Sequence, residues 1–396
     1  MTSLERLGRR APRFGYLPAL DGLRAVAILA VIAQHSGIAG LHGYHGVTLF
    51  LVISGYLITR LLLQERASTG RIALKRFYAR RFARLGPALV VVILATAAWL
   101  SATGVPVASY WAGVVGSLTY STDLIEAVSG NSAVGSTFQW SWSLGVEELF
   151  YLFWPVALLL MVKWRRFTWS AAVLIAGIAG CWILRSLLIA MEAGHNRYFF
   201  APDTNADALL LGALVAFIVV RHPHSPALKI AGQWAGPIGL LGLIALTWPY
   251  LADPITQFDK GSLGLTALAS AAVLLWMATA PDSRAAALLS LPPLVFIGRL
   301  SYGIYLWNML TIVVFTTLTG EQPAQSAMGV VWLIGLGAIA YVSWRFVETP
   351  LRDHWSRARP DRVAIAPPAQ AFDARSEPAL VHTLPASATQ SAKTAL

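Results

Sequence analysis

Arg24 and His35 lie eleven residues apart in an apolar run near the start of the chain. Eleven residues are about three helical turns, so both side chains share one face, about 16 Å apart along the axis. A neutral imidazole can accept a proton from a hydroxyl, and a guanidinium can hold phosphate. Read alone, the pair is equally a packed interfacial histidine and a snorkelling arginine. A second constellation is Lys75-Arg76-Phe77-Tyr78-Ala79-Arg80-Arg81-Phe82-Ala83-Arg84. Arg81 and Arg84 are neighbours on a helix, and Arg76, Arg80 and Arg84 form a ridge. Such a fork suits a nucleotide or pyrophosphate, and it equally suits an anchor beside anionic lipid. A third is Glu147-Glu148, preceded by Trp140-Ser141-Trp142-Ser143-Leu144-Gly145-Val146, in a stretch with no Lys or Arg from Leu85 through Val162. Adjacent helical residues point about 100° apart, so at most one of these carboxylates faces a given cavity. Asp207 reads as a buried hydrogen-bonding group, and Arg185 as either a snorkel or the partner of a carboxylate. Gly46-Val47-Thr48-Leu49-Phe50-Leu51-Val52-Ile53-Ser54-Gly55 offers a small-residue packing surface with Ser54 as a donor.

These residues sit in a chain built for a bilayer. Of 396 residues 56% are hydrophobic and 12% charged, against about 25% charged in soluble domains. The apolar residues come in runs near the roughly 20 residues a spanning helix needs. Ten spans are expected, roughly at 20–38, 46–63, 85–103, 143–162, 168–190, 204–220, 231–250, 262–280, 301–318 and 326–346, which makes an all-α, polytopic transmembrane helical bundle. Arg6, Arg9, Arg10 and Arg13, then the cluster from Arg66 to Arg84, then Lys163, Arg165 and Arg166 place alternate connections on the cytoplasmic side, and with ten spans both termini face inward. The net charge of +11 follows these connections, which argues against nucleic acid as partner. The largest non-cytoplasmic connection is 104–142, with Asp123 and Glu126 its only charges. Residues 1–19 read as a basic cytoplasmic leader rather than a cleaved signal, 20–350 as the transmembrane domain, and 351–396, rich in Ala, Pro, Ser and Thr, as a disordered cytoplasmic tail. The lone Cys181 excludes an internal disulfide. No Walker loop, nucleophile elbow or Cys/His cluster is present, His42 and His45 are too few for a metal site, and neither metal nor tightly bound cofactor is expected.

The ordered blocks resemble the membrane-bound acyltransferase family three, the integral-membrane O-acyltransferases of lipopolysaccharide, peptidoglycan, exopolysaccharides and macrolides. The likeness runs through Leu20-Asp21-Gly22-Leu23-Arg24 to His35, GVTLFLVISGYLIT at 46–59, the Arg81–Arg84 pair followed by Pro87, WSLGVEELFYLFWP at 142–155, Asp207 with Gly212, Gly298-Arg299-Leu300-Ser301-Tyr302-Gly303-Ile304-Tyr305-Leu306-Trp307, and Val347-Glu348-Thr349-Pro350. The chain departs from the family at Asn308, where His is frequent, and at Asn205, where Arg is frequent.

The resemblance implies an acyltransferase of the bacterial inner membrane. Acetyl-CoA or another short acyl-CoA would be the donor, and a hydroxyl of a surface glycan, lipid-linked sugar or similar molecule the acceptor. Arg24, Arg81 and Arg84 would hold donor phosphates at the cytoplasmic rim. The uncharged pantetheine arm would thread inward, and His35 would act as general base or transient acyl carrier. Glu147 would orient His35 or the acceptor, and Trp142, Glu148, Asp207 and Tyr302 would contact substrate. Some members carry a fused extracytoplasmic esterase-like domain. Its absence from these residues resembles the form that transfers directly to its acceptor. A flippase for a lipid-linked sugar would share the spans and the basic rim, but no repeated halves occur in the sequence. A catalytically inactive membrane sensor finds support only in Asn205 and Asn308.

Overall fold

In a bilayer every backbone polar group must be satisfied within the protein, which favours long helices. The computed structural model describes residues 15–38, 42–129, 134–163, 167–223, 225–247 and 261–351, and among them no strand occurs. The helices are α1 (Pro18–His35), α2 (Tyr44–Thr69), α3 (Leu74–Ala102), α4 (Trp111–Leu118), α5 (Thr122–Ser129), α6 (Ser136–Gln139), α7 (Trp142–Lys163), α8 (Phe167–Ala190), α9 (His195–Phe200), α10 (Pro202–Arg221), α11 (Pro226–Thr247), α12 (Ser262–Thr279), α13 (Arg284–Leu289), α14 (Pro292–Thr319) and α15 (Gly329–Ser343). The last runs into a π-helical turn, Trp344–Glu348. Residues 1–14 of the expected leader and 352–396 of the expected tail lie outside the described residues.

Among the described residues nine helices are long and apolar enough to cross a membrane. The tenth expected span, α1, falls short on apolar content because it carries Asp21, Arg24, Gln34 and His35 within 18 residues. It is nevertheless an interior helix: Leu23, Ala25, Ala27, Ile28 and Val31 are all buried. Two spans begin earlier than their apolar runs. Helix α3 starts at Leu74 rather than near 85, since the basic segment with its Lys and Arg side chains is a competent helix former. Helix α14 starts at Pro292 rather than near 301, with prolines in its first turn, where the missing N–H costs nothing.

Two glycine contacts fix the interior. A methyl group on Gly55 of α2 would come within 2.0 Å of the Leu209 carbonyl oxygen, and one on Gly212 of α10 within 2.0 Å of the Val52 oxygen. The two helices therefore meet backbone to backbone, as small residues permit in membranes. A methyl on Gly298 would meet the Asp21 oxygen at 1.8 Å, so α1 and α14 touch in the same way. These two helices run parallel, because Asp21 lies beside Gly298 and His35 beside Asn308.

The 104–142 connection is not an open loop. It folds into α4, α5 and α6, with Asp123 and Glu126 fully buried. Glu126 accepts hydrogen bonds from the Val134 amide (3.2 Å) and Gln139 Nε2 (2.9 Å). Ser141 Oγ lies 2.8 Å from both Ser117 Oγ and Thr122 Oγ1. These bonds tie the segment to the start of α7.

Candidate active site

Helices α1, α3, α7 and α14 and the π turn bring one set of polar side chains together. The Arg81 guanidinium stacks over the Tyr151 ring at 3.6 Å from its centroid. Tyr151 in turn donates to the Glu147 carboxylate one turn back on α7, and it hydrogen-bonds Ser54 of α2. Glu148 lies within electrostatic reach of Arg81 and Glu147. Arg84, one turn further along α3, lies within reach of Arg24, Arg81 and Glu348. It keeps exposed surface although it sits among these groups. Tyr302 of α14 donates to the Leu85 carbonyl at 2.7 Å, pinning α14 to α3, and lies within reach of Tyr120, Glu348, Glu148 and Glu147.

Tyr120 enters this group from the folded outer connection, with its backbone at a positive φ of 54°. Only a few per cent of non-glycine residues take that conformation, and it turns the chain sharply between α4 and α5. Burial first, then Glu148 and Glu147, raise the Tyr120 pKa, so the phenol stays protonated and can donate.

The sequence-predicted residues therefore divide. Arg24, Arg81, Arg84, Glu147, Glu148 and Tyr302 share one seam. His35 stands at the opposite end of α1 from Arg24, and the hydrogen bond it makes is to Asn308 (2.7 Å), not to Glu147. Trp142 is buried in an aromatic nest, with ring centroids 5.3 Å from Phe199 and 5.5 Å from Phe200. Asp207 forms an ion pair with Arg185 (3.0 Å) and accepts from Trp182 Nε1 (2.7 Å). Neither Trp142 nor Asp207 joins the seam by any of these contacts. The Arg76–Arg80–Arg84 ridge also splits, since Arg80 pairs with Glu65 of α2 at 3.8 Å. Asn205 donates to the Phe199 and Ala201 carbonyls, holding the α9–α10 junction.

Sequence reasoning missed Tyr120, Tyr151 and Glu348 as members of the seam. Glu348 had a legible signal, a carboxylate directly after an apolar span. The π turn that carries it is a distortion often found at functional sites. At the end of α1 where Arg24 stands, Asp21 is wedged between Arg24 (4.0 Å) and Arg299 (3.8 Å), and Tyr16 donates to it. Among the described residues no cluster of three or more His, Cys, Asp or Glu side chains is arranged to hold a metal ion.

A family model described as an acyltransferase domain matches residues 17–347. The chain is 31% identical to a peptidoglycan O-acetyltransferase of Listeria monocytogenes, over 87% of this chain and 57% of the relative. It is 31% identical to a putative O-acetyltransferase of Staphylococcus aureus, over 87% and 58%, and 28% identical to another O-acetyltransferase of that species, over 85% and 57%. The chain thus spans less than two thirds of the length of these relatives. No solved structure matches it.

Proposed function

The chain belongs to the acyltransferase family whose domain model it matches, and we propose that it moves an acetyl or other short acyl group from cytoplasmic acyl-CoA to a hydroxyl of a glycan or lipid-linked sugar at the outer face of the bacterial plasma membrane. The observation that carries this reading is the gathering of Arg24 and Arg81 about Arg84, with Arg81 lying over the Tyr151 ring. Arg84 lies within electrostatic reach of both Arg24 and Arg81 at membrane depth, where gathered like charge is costly. A polyanionic donor would meet these guanidiniums at the cytoplasmic rim, and bidentate guanidinium–phosphate contacts suit coenzyme A. The positive-inside pattern puts this end of α1 and α3 on the cytoplasmic side, where the donor is.

The chemistry then follows from placement. The pantetheine arm carries the thioester outward along α1 towards His35. His35 takes the proton of the acceptor hydroxyl as its oxygen attacks the thioester carbonyl. The carbon–sulfur bond breaks, and the imidazolium returns the proton to the leaving thiolate. Glu147 and Glu148, with the phenols of Tyr120 and Tyr302, offer hydrogen-bonding groups to a polyhydroxylated acceptor. Asp207 and Trp142, which the resemblance implies contact substrate, are engaged with Arg185 and Trp182 and with Phe199 and Phe200 respectively.

The test is purified protein given acetyl-labelled acetyl-CoA and a glycan oligomer. A base-labile labelled ester is expected, lost by about 10²–10⁴-fold in His35→Gln with coenzyme A affinity and melting temperature unchanged. Failure to form ester on any glycan, with surface glycans unaltered by mass spectrometry when the gene is deleted, would overturn the reading. An active, stable His35→Gln enzyme would move the chemistry off His35.

A further inference from the structure

His35 closes α1, and its Nδ1 lies 2.7 Å from the Asn308 amide of α14. Asn308 is 1% exposed, so this amide is committed to the interior. The distance between them is set by rigid elements. Helices α1 and α14 meet backbone to backbone at Asp21 and Gly298. The α14 turn after Asn308 is also tied down: Thr311 Oγ1 donates to the Asn308 carbonyl (2.9 Å), and Trp332 of α15 donates to Thr311 Oγ1 (3.2 Å).

We infer that Asn308 is a positioning residue for His35, whose amide engages Nδ1 and so leaves Nε2 as the nitrogen that takes the acceptor proton. This rests on the acyl-transfer reading above and adds to it which atom reacts and what holds it. As placed, Nδ2 donates to Nδ1, and the Asn308 Oδ1 is buried with no hydrogen-bond partner. No second bond therefore locks the amide. Rotation by 180° exchanges its oxygen and nitrogen without moving the helix. In the rotated form Oδ1 accepts from Nδ1–H, and Nε2 carries the lone pair a base requires. The side chain is neutral in either orientation. It orients the imidazole and stabilises the imidazolium less than a carboxylate there would. Where His is frequent in the family at this position, Asn keeps the ability to present a donor or an acceptor and removes a second titrating group.

The experiment compares kcat, KM for acetyl-CoA, pH–rate profile and melting temperature in wild type, Asn308→Ala, Asn308→Asp and His35→Gln. Asn308→Ala is expected to lower kcat roughly 10- to 100-fold, part of the about 10²–10⁴ a base supplies, with KM within about twofold. Asn308→Asp is expected to keep more activity than the alanine variant. Its acid limb should move to higher pH by about one unit or more, because the carboxylate favours protonated His35. A folded Asn308→Ala enzyme with wild-type kcat would overturn the inference, as would an Asn308→Asp profile superimposable on wild type. Should the alanine variant not fold, the aspartate profile decides. An inactive His35→Gln beside an unaffected Asn308→Ala sinks only the positioning role. A fully active His35→Gln moves the chemistry off His35 and sinks the positioning role with it, whereas a wild type that forms no ester on any glycan sinks the acyl-transfer reading on which it rests.

Discussion

Two clusters of charge are buried in this bundle, and they are built on opposite plans. Between α8 and α10, Arg185 and Asp207 face each other at 3.0 Å with side-chain exposures of 5% and 3%. The cluster is closed: Asp207 also accepts from Trp182 and from the Ala208 amide, and Arg185 donates to the Thr204 carbonyl. In the seam between α3, α7 and α14, three arginines gather at unequal exposure, one of them lying over an aromatic face rather than against a carboxylate. A pair so enclosed is committed to its own neighbours and holds helices together. A group in which a guanidinium lies over a ring rather than in an ion pair has capacity left for something that comes and goes. Sequence alone ranks the two alike, as charges within apolar runs, and the distinction appears only in what surrounds each.

The largest effect should come from breaking the closed pair. Asp207→Ala leaves Arg185 buried and uncompensated, which typically costs about 3–5 kcal/mol. We expect a large fall in melting temperature and little folded protein, with Arg185→Met/Asp207→Leu recovering most of the loss. If Asp207→Ala is stable and selectively loses acceptor turnover, Asp207 belongs with the substrate and the contrast fails.

The next effect is pH-dependent and tests whether the outer connection is part of the folded body. Asp123 lies there, outside the spans and fully buried. Burial pushes its carboxyl from 3.8 up to about 6, partly offset by the amides of Leu124 and of Asp123 itself. A raised carboxyl pKa means the folded state binds the proton more tightly, so the stability is fully present below about pH 4 and is lost as pH rises through about 6. The displacement is on the order of 3 kcal/mol. Asp123→Asn should therefore raise the melting temperature at pH 7.5 and flatten its dependence between pH 4 and 6. An unchanged profile would mean that Asp123 is solvated.

The spans and the blocks of the seam were legible because the bilayer imposes long apolar runs and because charge within them is rare. What was not legible required distance in sequence to become nearness in space. Asn308 and His35 are 273 residues apart, and nothing in either segment announces their bond. Arg185 and Asp207 were each visible as candidates, yet their pairing depends on how α8 packs along α10. The fold of 104–142 was hidden for a different reason. Its helices are too short and too mixed in polarity to show a span, and Glu126 looks like a solvated loop charge until Val134 and Gln139 donate to it, as does Asp123 until it is buried against Gly145.

Third in size is removal of the seam arginines. Arg81→Ala and Arg84→Ala should each weaken coenzyme A binding by about 1.5–3 kcal/mol, the range for hydrogen bonds to charged groups. Melting temperature should hold, because removing one of several neighbouring cations relieves like-charge repulsion. Wild-type binding should also weaken with salt. Normal coenzyme A affinity in both variants would make these arginines topology anchors and leave the seam without a ligand.

The smallest effect separates charge from shape within the seam. Arg81→Lys keeps the positive charge but exchanges a flat guanidinium, stacked 3.6 Å from the centre of the Tyr151 ring, for a compact ammonium with no planar fork. Stacking on the ring holds the guanidinium plane, and with it the edge that would meet phosphate. Lysine can still lie over the ring, so the cation–π attraction of about 0.5–2 kcal/mol is largely retained, whereas the two-pronged contact is lost. We expect coenzyme A to bind roughly three- to tenfold more weakly, about 1 kcal/mol. Arg84, which makes no such stack among the described residues, should lose a similar amount to lysine whether or not Tyr151 is present. A double-mutant cycle with Tyr151→Leu distinguishes them: coupling of about 0.5 kcal/mol or more is expected for Arg81 and none for Arg84. Equal coupling at both positions would show that Tyr151 supports the whole seam through its bond to Glu147, and the ring beneath Arg81 would then carry no special share of donor binding.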